Sequence, residues 1–130
     1  MTRKNAREMI LKLLYELDLR ETTAEDVLSK VKDCGEEEEY IKETVKGVYE
    51  NKQRLDEIIN RYAKDWNTDR MNKVDLAILR YSIYEIQAGS IPPSITINEA
   101  VELAKKYSTE RSSQFVNGVL GGYVRGEGGL

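Results

Sequence analysis

Apolar positions recur in steps of three and four over most of the chain, the period of helices that bury one face. From residue 5 to 19, Ala6, Met9, Ile10, Leu13, Leu14 and Leu17 form one such stripe and predict a first helix. Thr22 or Thr23 can cap a short second helix, with Asp26 in its first turn, Val27, Leu28 and Val31 turned inward, and Gly35 ending it. The next stripe passes through Ile41, Val45, Val48, Leu55, Ile59, Tyr62 and Trp66 and is interrupted at Lys52. Unbroken helix from residue 36 to 66 would be on the order of 45 Å long, more than a domain of this size is wide. A bend near residues 51 to 53 is expected.

Residues 70 to 88 are apolar on nearly every side, so this helix should be surrounded by others and central to the fold. Gly89 stops it, and Pro92-Pro93 enforce an extended connection. Thr96 with Glu99 then reads as a capping box, opening a helix that buries Ile97, Ala100, Val101, Ala104 and Tyr107. Ser108 or Thr109 caps the last helix, whose inward residues are Phe115, Val116, Val119, Leu120 and Tyr123. Beyond Val124 the glycine-rich tail should fray. The pattern predicts an all-α protein in one domain of 130 residues.

Composition narrows the chemistry. No apolar run is long enough to cross a bilayer, and no basic-then-apolar leader opens the chain, so a cytoplasmic location is expected. Histidine is absent and Cys34 is the single cysteine, which excludes finger-type zinc sites, Cys-His and Ser-His-Asp catalysis and any internal disulfide. Cys34 reads as an inert residue at a helix end. The run Glu36-Glu37-Glu38-Glu39 reads as the acidic first turn of a helix, because consecutive helical residues diverge and cannot converge on one ion. No catalytic residue, metal or cofactor is expected.

The first helix carries a second stripe. Lys4, Arg7, Leu11 and Tyr15 fall within about 80° of one another, with Arg3 beside them. Cations for phosphates followed by a ring that can stack on a base suit single-stranded RNA. A solvated helix face with a half-buried tyrosine has the same pattern. Arg80 lies on a narrow polar strip of the central helix and needs a partner there, with Asp75, Glu85 and Glu99 as candidates. Asn117 and Gly118 sit in mid-helix against propensity. Gly118 suggests a close helix contact. Asn117 suggests either a cross-link between helices or a surface amide.

Three stretches resemble the NusB family of bacterial transcription antitermination factors. They are Arg3-Lys4-Asn5-Ala6-Arg7-Glu8 with Leu14-Tyr15, Val74-Asp75-Leu76-Ala77-Ile78-Leu79-Arg80 with Tyr84-Glu85, and residues 97 to 105 with 115 to 120. The resemblance implies a compact bundle of about seven helices in two packed helical subdomains, drawn at residues 1–66 and 67–124, with 125–130 as a flexible tail. It implies binding of boxA-type single-stranded RNA from ribosomal RNA leader transcripts together with the ribosomal protein NusE, within an RNA polymerase antitermination complex. RNA contacts would fall on Arg3, Lys4, Arg7 and Tyr15, with Arg80, Gln114, Phe115 and Asn117. NusE would meet the side that holds Asp75 and Arg80. Without a partner a homodimer is possible.

Two other readings stay open: a helical interaction or dimerisation module, and a stand-alone relative of the NusB-like domain of ribosomal RNA methyltransferases. The net charge of −3 repels polyanions at long range. RNA binding by the isolated chain is therefore expected to be weak and to strengthen with a second protein.

Overall fold

The computed structural model describes residues 1–19, 22–64 and 66–128. Among them are seven α-helices and no strand. They divide into two compact units, residues 1–51 and 52–130.

The first unit holds α1 (Arg3–Leu19), α2 (Ala24–Leu28) and α3 (Glu37–Glu50). α1 starts two residues earlier than the apolar stripe because Thr2 caps it, its Oγ1 accepting from Asn5 N at 3.0 Å. It buries Ala6, Ile10, Leu13, Leu14 and Leu17, and also Leu11, and packs on α3, which buries Ile41, Val45 and Val48. Thr23 caps α2 by accepting from Asp26 N at 3.0 Å. That helix stops at Leu28 and not at Gly35. Ser29 Oγ donates to Asp26 O at 2.6 Å, a local alternative to continuing the helix. Gly35 instead takes φ +62° in the turn before α3, with Asp33 also left-handed at φ +57°. Glu37, Glu38 and Glu39 occupy the first turn of α3, where the macrodipole favours them. Buried Cys34 lies just ahead of α3, its carbonyl accepting from Glu37 N at 3.3 Å.

The expected bend is a break at Asn51, whose side chain donates to Gly47 O at 2.8 Å and closes α3. The second unit begins there with α4 (Lys52–Tyr62), followed by a 3-10 turn (Thr68–Arg70), α5 (Lys73–Ala88), α6 (Pro93–Tyr107) and α7 (Glu110–Tyr123). The division thus falls after Asn51 and not after Trp66, because α4 packs on α5 and α7. Trp66 lies beyond the end of α4 and is 50% exposed, so it leaves the apolar stripe.

α5 has the all-round burial that its sequence predicts: Leu76, Ala77, Ile78, Leu79 and Ile83 are at most 1% exposed. It packs on α4, α6 and α7, and Gly89 at φ +73° terminates it. α6 departs from expectation. It starts at Pro93, which needs no N–H partner in a first turn, so Thr96 lies inside the helix. The capping box is not formed; Thr96 Oγ1 is buried without a hydrogen-bond partner. Thr109 caps α7 by accepting from Ser112 N at 2.9 Å. The chain beyond it does not fray at once but continues as a π-helical turn, Val124–Gly128. Residues 129 and 130 lie outside the described residues. No helix among the described residues is long and apolar enough to cross a membrane.

Candidate nucleic-acid interface

On the first unit, the N-terminal cations of α1 are not equivalent. Arg3 Nε is 2.7 Å from Glu37 Oε2, and its guanidinium lies 3.7 Å from the centre of the Tyr40 ring. Partial burial works against its charge, but Glu37 and Tyr40 outweigh that and raise its pKa. Arg3 is thereby anchored to α3, with about half of its side chain still accessible. Lys4 is exposed and Arg7 half-buried. Leu11 is buried and leaves the stripe, whereas Tyr15 is 36% exposed and presents part of its ring. The surface that remains is one lysine, two partly engaged arginines and a tyrosine.

On the second unit, Arg80 is only 7% exposed. It pairs with Asp56 on α4, which is not among the three carboxylates that the sequence offers as candidates. The pair is bidentate: Nε donates to Oδ1 at 2.6 Å and Nη2 to Oδ2 at 2.8 Å. This geometry ties α5 to α4 and leaves the guanidinium little access to an outside ligand.

Asp75, also on α5, is 6% exposed and joins a polar network. Asn72 caps α5 by accepting from Asp75 N at 2.8 Å, and its Nδ2 donates to Asp75 Oδ2 at 3.0 Å. Ser112 Oγ donates to the same Oδ2 at 2.9 Å, which links α7 to the start of α5. The other oxygen, Oδ1, is buried with no hydrogen-bond partner. Asp75 lines a cleft of about 390 Å³ together with Arg70, Arg111, Trp66 and Phe115.

The remaining predicted residues lie on α7. Gln114 and Asn117 are exposed, and Phe115 is half-buried, its ring edge-to-face with Trp66 at 6.2 Å. Gly118 is not a close helix contact: a Cβ there would meet nothing within 4 Å. Sequence reasoning missed Trp66, Arg70 and Arg111. Their charge and aromaticity were visible, but the end of α4 at Tyr62, which releases Trp66 to the surface, was not.

The model of the NusB family matches residues 4–125. The chain is 52% identical to the transcription antitermination protein NusB of Thermoanaerobacter sp. (strain X514), over 98% of this chain and 94% of that protein. Among solved structures it is similar to T. maritima NusB, with a TM-score of 0.90 at 32% identity, covering 98% of this chain and 94% of that one. It is also similar to a chain in a crystal structure of antitermination factors NusB and NusE in complex with dsRNA, with a TM-score of 0.84 at 28% identity, covering 96% of this chain and 97% of that one. Motifs, fold and near end-to-end similarity agree, and the chain belongs to the NusB family.

Proposed function

We propose that this protein is a non-catalytic transcription antitermination factor of the cytoplasm. It binds boxA-type single-stranded RNA of ribosomal RNA leader transcripts together with NusE and joins the RNA polymerase antitermination complex. The observation that carries this reading is 52% identity, over almost the whole chain, to a protein named for transcription antitermination. The solved assembly of NusB and NusE with RNA supports the choice of partners.

In this reading Lys4 and Arg7 meet phosphates, with Arg3 held in place by Glu37, and Tyr15 stacks on a base. Gln114, Phe115 and Asn117 add contacts from α7. Asp75 serves NusE as part of the wall of the cleft that it shares with Trp66, Arg70, Arg111 and Phe115. Arg80 contributes indirectly, by fixing α5 against α4 through Asp56.

Charge reversal at both Lys4 and Arg7 tests the RNA surface. It should abolish binding of a boxA-type strand while helical content and melting temperature stay near those of the parent. Tyr15→Ala should weaken binding by about 1–3 kcal/mol, the worth of one stacked base. A double variant that binds as well as the parent would reduce the stripe to a solvated face.

A further inference from the structure

Gln114 and Phe115 open onto a groove of the second unit that has the chemistry of a nucleic-acid track. This groove, of about 440 Å³, runs between the end of α4 and the outer face of α7. Its cations are Arg61, Lys64 and Arg125, and among the described residues no acidic side chain lines it. In a chain of net charge −3, three cations along one groove gather basic side chains where phosphates can be met. Its aromatic wall is the edge-to-face pair Trp66 and Phe115, with the indole half in solvent. Gln114 adds an exposed amide able both to donate and to accept.

The floor gives Gly118 a role that helix propensity does not explain. Gly118 and Gly122 lie one turn apart on α7 and both line the groove. At Gly118 a Cβ would have nothing within 4 Å, so the missing side chain relieves no crowding inside the protein. It leaves the groove open. Gly126, by contrast, is required for packing: a Cβ there would lie 2.6 Å from the Tyr62 hydroxyl. That close approach seats the π-helical turn on α4. Arg125 is turned back along α7, with Nη1 3.0 Å from a Cβ placed on Gly121.

We propose that this groove binds single-stranded RNA flanking the boxA-type element, its phosphates on Arg61, Lys64 and Arg125 and a base on Trp66, continuing from the boxA-type contact at Phe115. A cationic groove with stacking rings suits a single strand, which offers both regular charge and exposed π-faces. An acidic polypeptide would use the cations but not the rings. The inference rests on the RNA-binding reading above and extends it to a second stretch of the same strand.

The test uses the full chain with saturating NusE and two RNAs: a bare boxA-type element and the same element extended on both sides. The extended strand should bind about tenfold tighter or more, and should quench the fluorescence of Trp66, the chain's only tryptophan. The triple variant Arg61→Gln, Lys64→Gln, Arg125→Gln should lose that gain but keep its affinity for the bare element. Its salt slope on the extended strand should fall by about 2, since each phosphate contact in a single strand contributes roughly 0.7. Gly118→Leu, which fills the groove without changing charge, should lose the same gain, with thermal melts showing both variants folded.

A parent that gains nothing from the extension, or variants that keep the gain, would overturn the groove while leaving the RNA-binding reading intact. A parent that binds neither RNA would overturn both. Competition by polyglutamate in the parent, lost in the triple variant, with no gain from the RNA extension would assign the groove to an acidic protein instead.

Discussion

Two charged side chains of α5 are buried almost equally, yet they have different uses. Arg80 is satisfied by Asp56 in a bidentate pair, so its charge serves the fold. Removing the carboxylate strands a guanidinium that is 7% exposed. Asp56→Ala should therefore cost roughly 3 kcal/mol in denaturant unfolding, the low end for a broken buried pair because Asp56 retains some solvent. Asp75 has one oxygen satisfied by Asn72 and Ser112 and one left without a partner. Asp75→Asn keeps the shape and an acceptor for Ser112, so it should change folding stability little. It should weaken NusE binding, because the cleft wall loses a negative charge. Equal NusE affinity in calorimetric titration would remove Asp75 from the interface.

The helices differ in how far their sequences announce them. α5 was legible in both extent and burial because its apolar residues leave no wide polar face, and Gly89 marks its end with a left-handed φ of +73°. The break at Asn51 was legible from Lys52, where a polar residue interrupts the stripe. The start of α6 was not, because two valid N-terminal signals compete over residues 92 to 99. Proline at the first helical position prevailed over the Thr96–Glu99 box, and the threonine hydroxyl was left buried and unpaired. Gly118 misled for a related reason. A mid-helix glycine implies crowding only if a neighbour is close, and the sequence does not show neighbours. Since a methyl group there meets nothing, Gly118→Ala should stabilise the protein by about 0.5–1 kcal/mol, measurable as a raised midpoint of thermal unfolding. A destabilised variant would mean that α7 is packed at that position after all. Of the candidate site, the exposed members Lys4, Tyr15, Gln114 and Asn117 could be read from residue type and spacing. The Arg80–Asp56 and Asp75–Ser112 pairs could not, because each joins residues far apart in sequence.

The balance of charge over the whole chain sets how this protein can meet RNA. With 20 basic and 23 acidic side chains, it attracts a polyanion only through local patches. The start of α1 offers only three cations, and Arg3 is already paired with Glu37, so few phosphates can be neutralised there. Affinity and salt slope for the isolated chain should both be small. A partner that brings its own RNA contacts raises RNA affinity, and reciprocity requires RNA to tighten the protein pair by the same factor. The decisive measurement is a titration of a boxA-type strand into this protein, alone and with saturating NusE, at two salt concentrations. Binding should be weak for the protein alone and clearly tighter with NusE, with a steeper salt dependence for the pair and a matching gain in NusE affinity when RNA is present. Equal RNA affinities with and without NusE would contradict that expectation.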